Sequence, residues 1–438
     1  MQGSVPKALG GKLSSTWKPR KMRVFSIALV LLLSLVAAAT PLEEAARRWQ
    51  QSLKILPGGS GAQSAFLLLD VSGRARLAWN EGLSMLPAST LKVATAVAIL
   101  EQPGAADVRL TTRLQLQGER LRWVGDYDPE LRAQDMEEML LAMAPRLPAR
   151  LQLEVSPPES QPYPAGWAWD DLSSAFAPLI SRLTFDHGLI TLRLQAGQQL
   201  QIGGPAWMPP NSIGFLPGSE ELGLRVLPGW EGWVLEGQMV LGSEEALSVP
   251  MLRPELALAR LSAAVLQRRG ISVELTSPLA DFAAEHEVVH ESRPVRELLR
   301  QGLADSDNLV LECLYRRFGS RRPSVWQESF RVVDGSGLSR YNLVSVQGLL
   351  QALRSRPEVL ELLPLAGREG TMKRRFLNTP LEGRLRAKTG TMSGVSGLVG
   401  ELKGHLFALL LSGYVGPSAP YKKAEEELIV ELSGLLDS

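Results

Sequence analysis

The sequence predicts an α/β protein: a principal domain with an antiparallel sheet and covering helices, interrupted by an inserted, mostly β region. Three observations predict this. Both ends of the chain carry short apolar strand patterns next to an amphipathic helix. The middle changes texture, to alternating strands broken by proline-rich connectors. With 438 residues, the chain has room for two or three domains.

Taken in order, the N-terminus comes first. Basic residues from Lys7 to Arg23 precede the apolar run "VFSIALVLLLSLVAAAT". Val24 to Ala39 is short for a membrane span, which needs about 20 residues. It ends in Ala37, Ala38 and Ala39, small residues that suit signal peptidase. Residues 1–40 are expected to be an export signal, with an uncleaved anchor as the alternative and Met22 as an alternative start. This places the mature protein outside the cytoplasm, periplasmic or at the cell wall, with at most peripheral membrane contact.

The segment "LEEAARRWQQSL" reads as an amphipathic helix, and "AFLLLDVSGRARLAW" as two strands around Val71-Ser72-Gly73-Arg74. An apolar helix follows in "PASTLKVATAVAIL". At the other end, "RLRAKTG" reads as a strand, and "SGLVGEL" with "HLFALLLSGYV" as a hairpin through Lys403-Gly404. "YKKAEEELIVELSGLL" is a closing amphipathic helix. The expected division is residues 41–103 and 288–438 for the principal domain. Residues 104–287 form the insertion, as one or two nested domains, with patterns such as "RLQLQGERLRWVG" and "LTFDHGLITLRLQ".

Composition excludes some function classes. A net charge of +1 gives no reason to expect nucleic acid as a partner. The sole cysteine, Cys313, excludes an intramolecular disulfide and reads as a buried apolar thiol.

The apolar helix contains an anomaly. A lysine ammonium is costly to bury without a partner, yet Lys92 stands in this run, three residues after Ser89. Residues three apart share a helix face. Desolvation lowers a lysine pKa, and a neutral lysine accepts a serine proton. A helix N-terminus adds free N–H groups next to the serine. Together these make a nucleophile, its base and part of an oxyanion hole. Alone, Ser-x-x-Lys is common by chance, and the pair reads as an N-cap and a snorkelling lysine.

Two further elements change that reading. Ser306-Asp307-Asn308 opens an apolar helix, so a hydroxyl and a carboxamide can face one cleft. Lys388-Thr389-Gly390 lies at a strand end, where the lysine supplies charge, the threonine a hydroxyl for a carboxylate, and the glycine room for substrate backbone. Singly these are a cap and a turn. In this order and context the three form the Ser-x-x-Lys, Ser-x-Asn, Lys-Thr-Gly set of β-lactamases and penicillin-binding proteins.

The wider sequence resembles the low-molecular-mass class C penicillin-binding proteins, the D-alanyl-D-alanine carboxypeptidase/endopeptidase family of serine peptidases. The matching text includes "LPASTLKV", "WAWDDLSSAFAPLISRL", "LADSDNLVLE", "VDGSGLSRYNLVS", "LPLAGREGTMKRRF" and "AKTGTMSGVSGLVGEL", over residues 43–438. The resemblance implies a β-lactamase/transpeptidase-like catalytic domain interrupted by accessory β domains, acting on peptidoglycan stem peptides, trapped by β-lactams, and needing neither metal nor organic cofactor. Carried over, it makes Ser89 the nucleophile, Lys92 its base, and Ser306, Asn308 and Lys388 the remaining catalytic groups. Thr389, Gly390 and Thr391 would bind substrate. Arg340 of "DGSGLSR" and Asp128 of "GDYDPEL" would bind the charged end of the third stem residue, although "GDYDPEL" replaces the glycine-rich run expected there. Oligomeric state is left open.

Rival readings are weaker. "HEVVH", His286 to His290, matches a zinc-protease pattern that requires a helix, whereas β-branched Val288 and Val289 make it a strand or connector. With four histidines and none in a recognisable frame, a Ser-His-Asp hydrolase has no support. A β-lactamase would share the acylation groups, but no asparagine here has a glutamate three or four residues upstream. A catalytically degenerate cell-wall binding module would not need Ser89, Lys92, Ser306 and Lys388 all intact.

Overall fold

The computed structural model describes residues 39–437, except 198–199, 206–212, 218–222, 229–232 and 320–329. The expected export signal lies outside the described residues up to residue 38.

Helix α1 (Pro41–Ile55) starts where Thr40 and Glu43 form a reciprocal capping box, with Pro41 in the first turn. Its apolar stripe, Leu42, Ala45, Ala46, Trp49 and Leu53, is buried. The Trp49 indole N–H reaches the Ala424 carbonyl at 2.6 Å. This ties α1 to the closing helix α8 (Ala419–Leu435). Between the two ends of the chain runs one antiparallel sheet. Its strands are β1 (Gln63–Leu69), β2 (Ala75–Trp79), β14 (Arg386–Met392), β15 (Val395–Leu402) and β16 (His405–Ser412), in the order β14-β15-β16-β1-β2. The β15–β16 hairpin turns through Lys403 and Gly404, at φ +52° and +80°. Two successive left-handed residues make the tight turn that matches strand twist.

Alternation sorts the sheet's side chains. Phe66, Leu68, Phe407, Leu409 and Leu411 face α1 and α8. Ala65, Leu67, Leu69, Ala408 and Leu410 face the second core. That core is closed by α2 (Leu91–Leu100), α5 (Val295–Asp305), α6 (Asn308–Phe318) and α7 (Val346–Ser355). Cys313 is a free, buried thiol on α6, and burial pushes its pKa well up.

The intervening region builds a second five-stranded sheet. It contains β3 (Arg109–Gln117), β4 (Arg120–Gly125), β5 (Arg150–Glu154), β12 (Ser272–Thr276) and β13 (His286–Pro294), in the order β12-β5-β4-β3-β13. Helices α3 (Ala133–Met143) and α4 (Pro254–Gln267) supply Met136, Leu140, Leu258 and Leu266 to its core. Six shorter strands between Leu189 and Pro250 form two three-stranded sheets, nested between β5 and α4. Because β13 pairs with β3 as far as Pro294, the chain returns to the principal domain's helices at Val295, not at residue 288 as the sequence had suggested.

The strand β13 also removes the geometry a zinc protease needs. Glu287 turns to Arg113 and Gln115 on β3, at 3.0 and 2.6 Å. His290 instead pairs with the buried Asp128 at 2.8 Å, with Asp135 on α3 at 3.6 Å. The hydrogen bond to Asp128 raises the His290 pKa, partial burial opposes it, and the charges of Asp128, Asp135 and Glu130 add to the rise. A proton held more tightly in the fold stabilises it below the ordinary value of 6.5, and that contribution is lost as pH climbs through the raised value. The melting temperature should therefore fall more between about pH 6 and about pH 8 in the native protein than in His290→Gln. Equal slopes by thermal denaturation would show that the pair contributes nothing.

Candidate active site

Ser89 sits on a 3₁₀ turn, Ala88–Thr90, that leads into α2. Thr90 closes the turn by donating its hydroxyl to the Pro87 carbonyl at 2.6 Å. Ala88 adopts φ +46°, a left-handed conformation that costs a residue with a β-carbon roughly 1–2 kcal/mol. Packing maintains it: a β-carbon placed on Gly337 would lie 2.1 Å from the Ala88 carbonyl oxygen, so only glycine lets that loop press on the turn. Ser89 is left partly exposed at the top of a helix that is otherwise fully buried.

Lys92 is completely buried one turn on. Its Nζ reaches three acceptors: Ser89 Oγ at 2.9 Å, Asn308 Oδ1 at 2.6 Å and the Ser336 carbonyl at 2.5 Å. Burial pushes the Lys92 pKa down from 10.5 to about 8, while Asp334, Asp307 and Glu312 pull the other way. A neutral amine keeps two hydrogens and one lone pair. Asn308 Oδ1 and the Ser336 carbonyl accept only, so they take the two hydrogens and the lone pair is left aimed at Ser89.

Each acceptor is itself held. The Asn308 amide group donates to the Phe176 carbonyl at 2.8 Å. The Ser336 loop is organised by buried Asp334. Its carboxylate accepts from Trp167 Nε1 (2.7 Å), Ser336 Oγ (3.0 Å), the Gly337 and Ser339 N–H groups (2.9 and 2.8 Å) and Asn342 Nδ2 (2.7 Å). Glu312, on α6, accepts from the Gly335 N–H at 2.7 Å.

The second lysine mirrors the first. Lys388, on β14, is fully buried and donates to Ser306 Oγ at 2.9 Å and to the Thr389 carbonyl at 2.8 Å. Burial lowers its pKa well below 10.5, and the charge of Lys92 lowers it further. Ser306 is the left-handed residue, φ +60°, that ends α5, while Asp307 caps α6 by accepting from the Val310 N–H at 3.0 Å. That corner turns the Ser306 hydroxyl to Lys388 and the Asn308 side chain to Lys92. β14 is the edge of its sheet, and Thr391 is exposed on it. The glycine of the third motif has a different use from the one expected. A β-carbon on Gly390 would lie 2.8 Å from the Pro87 carbonyl oxygen, so its bareness admits the nucleophile's own turn.

The two remaining candidates separate. Arg340 is exposed; burial and Asp170 push the Asp171 carboxyl up, and the Arg340 charge opposes them. Asp128, in contrast, is wholly buried, with one oxygen on the Glu130 N–H (2.9 Å) and the other on His290. Its place is a turn cap and ion pair inside the fold, which corrects the expectation that it binds substrate. Sequence reasoning passed over Asp334, Glu312 and the Phe176 carbonyl. Glu312 carried a visible signal, a charge within the apolar run "LVLECL", the same anomaly that singles out Lys92.

A profile of the D-Ala-D-Ala carboxypeptidase 3 (S13) family matches residues 51–432. The chain belongs to that family. It is a serine-type D-alanyl-D-alanine carboxypeptidase with the penicillin-binding protein fold. It is 28% identical over 432 residues to a D-alanyl-D-alanine carboxypeptidase of an Actinomadura species, covering 83% of this chain and 80% of the relative. It is 25% identical over 400 residues to the D-alanyl-D-alanine carboxypeptidase DacB of Haemophilus influenzae, covering 79% and 83%. The match to a penicillin-sensitive carboxypeptidase A of Dictyostelium discoideum, 24% identical, spans about half of each chain, 55%. The solved structure of penicillin-binding protein 4 (dacB) from Haemophilus influenzae shares the fold, with a TM-score of 0.75 at 22% identity. It covers 88% of this chain and 99% of that one.

The buried acids give a test of the site's electrostatics. Burial, then the Asp334 charge, push the Glu312 carboxyl up to about 8, while Gly335 and Arg316 oppose them. Because both groups titrate near pH 8, Glu312 carries only part of its charge where Lys92 loses its proton. Glu312→Gln keeps an acceptor for the Gly335 N–H and removes that part, so the acid limb of acylation rate against pH should move to lower pH, by less than about half a unit. An unmoved limb in a folded variant would remove Glu312 from the proton balance.

Proposed function

We propose that this enzyme hydrolyses the D-alanyl-D-alanine end of peptidoglycan stem peptides through an acyl-enzyme on Ser89. The observation that carries the reading is the threefold contact of Lys92, which leaves a neutral amine's lone pair on the Ser89 hydroxyl. Ser89 Oγ attacks the penultimate D-alanine carbonyl as its proton passes to Lys92 Nζ. The N–H groups of Ser89 and Thr391 receive the developing oxyanion. The C–N bond breaks as the proton held by Lys92 is relayed through the Ser306 hydroxyl, tuned by Lys388, to the leaving amine, which returns Lys92 to the neutral form. Water then attacks the ester carbonyl as Lys92 takes its proton, and that proton passes to Ser89 Oγ as the shortened peptide is released. Asn308 orients Lys92 and meets the substrate amide. Thr389 and Lys388 hold the terminal carboxylate.

The same groups would open a β-lactam ring and leave a penicilloyl ester on Ser89. A second solved structure of the Haemophilus protein is a complex with a β-lactam, which favours this class of inhibitor. The basic and apolar N-terminal run supports export, so that the enzyme remodels the wall from outside the cytoplasm. Exposed Arg340, on the loop that carries Ser336, is suited to grip the carboxylate of a third-position diamino acid.

Ser89→Ala should abolish both peptidase activity and labelling by fluorescent penicillin; mass spectrometry of a residual adduct on this variant would refute the assignment. Lys92→Arg keeps a charge but cannot act as a base, so acylation should fall by at least about 10²-fold. For Arg340→Ala, cleavage of a peptide bearing the diamino acid should drop several-fold relative to acylation by a simple penicillin. Equal losses would end the selectivity claim.

A further inference from the structure

The turn before β14 places a hydroxyl where the three motifs do not. Thr371 lies in the 3₁₀ turn Gly370–Met372 and is exposed, yet its Oγ1 is 2.9 Å from Thr389 Oγ1. The turn is held on three sides. Gly370 has φ +42°, and a β-carbon there would lie 1.9 Å from the Ala304 carbonyl oxygen, so the turn is pressed against the end of α5, two residues before Ser306. Met372 is fully buried beneath it. The Gly367 N–H donates to the Met372 carbonyl at 2.9 Å. Thr371 therefore stands beside Thr389 on a fixed support, although 18 residues separate them in sequence.

We infer that Thr371 is a second hydroxyl of the terminal-carboxylate subsite and a specificity residue for free-acid peptides. This rests on the proposed role of Thr389. Each threonine has one hydrogen and rotates it freely. Between the two, Thr389 donates to Thr371. When a carboxylate arrives, both hydroxyls turn their hydrogens to it. Two hydroxyls 2.9 Å apart can each donate to one oxygen of the same carboxylate, so the pair presents two donors on one side of the subsite. Thr389 is nearly buried and Thr371 exposed, so Thr371 forms the outer wall of the subsite. A substrate whose chain continues past this point offers no carboxylate, and for it the Thr371 hydroxyl is without use.

The test compares one acyl-D-Ala-D-Ala peptide as the free acid and as the C-terminal carboxamide. Single-turnover acylation would be measured for wild type, Thr371→Val, Thr371→Ser and Thr389→Val, with thermal melts to check the fold. Thr371→Val should lower the acid-to-amide ratio of kcat/KM about tenfold, the scale of one hydrogen bond to a charged group, mainly through KM. Thr371→Ser should restore it, and Thr389→Val should lower it at least as much. A lowered ratio for Thr389→Val with an unchanged one for Thr371→Val would overturn this inference and leave the proposed function standing. An unchanged ratio in both would overturn the carboxylate role of Thr389 and this inference with it. Equal losses on acid and amide in Thr371→Val would assign Thr371 a structural role only.

Discussion

The constraint on which the site depends is a fully buried lysine nitrogen. Burying an ammonium costs several kcal/mol unless its hydrogens are matched. At Lys92 they are matched by a hydroxyl, a carboxamide oxygen and a backbone carbonyl. Two of these cannot give a proton back, and one can. The geometry that makes burial tolerable is thus the geometry that selects Ser89 as the proton donor when Lys92 is neutral. The neighbouring acids set a limit: Asp334, Asp307 and Glu312 hold the pKa near 8 against a burial that would take it lower. A lysine with a much lower value would be neutral but too weak a base to take a hydroxyl proton.

Two of the three groups around Lys92 come from distant parts of the chain, and the inserted region steadies both. Asn308 lies 216 residues from Lys92. It is steadied by the carbonyl of Phe176, and the Trp167 indole is one of the five donors on Asp334. Both residues belong to the segment that runs between β5 and the nested strands. The Ser339 hydroxyl and the Arg340 N–H bind the Ala165 and Gly166 carbonyls, at 2.6 and 3.0 Å. The insertion therefore buttresses the loop that holds the base, and mutations within it can reach catalysis without touching substrate.

Sequence made some of this legible and hid the rest for identifiable reasons. The sheet was readable because its alternation serves two cores at once, and the Lys403-Gly404 turn because two left-handed residues suit a tight hairpin. Ser89, Lys92, Ser306, Asn308 and Lys388 stood out because their spacing and order are strict, and the fold brings them together. Asp128 misled because an aspartate before proline is as good a turn cap as a ligand, and only its burial beside His290 decides. The boundary at residue 288 slipped because a returning strand belongs to the sheet it pairs with, whatever the chain does next. Thr371 left no mark, since a single threonine in a loop acquires meaning only from the strand the fold sets beside it.

The two buried lysines divide the labour because their surroundings differ in charge. Both are desolvated, and the charge of Lys92 disfavours a proton on Lys388. Lys92 has three carboxyl groups that favour its charged form, whereas the influences on Lys388 are its own burial and the charge of Lys92. In the proposed mechanism a proton leaving Ser89 is therefore better held by Lys92 than by Lys388, whose nitrogen is hydrogen-bonded to Ser306. On the proposed reading, the missing counter-charge on the Lys388 side arrives with the substrate. A terminal carboxylate at Thr389 favours a proton on Lys388, which the low-dielectric site makes a strong effect. A charged Lys388 then polarises the Ser306 hydroxyl at the moment it relays the proton from Lys92 to the leaving amine. Substrate binding and proton delivery are in this way one electrostatic event, and a ligand without the carboxylate forgoes the second when it forgoes the first.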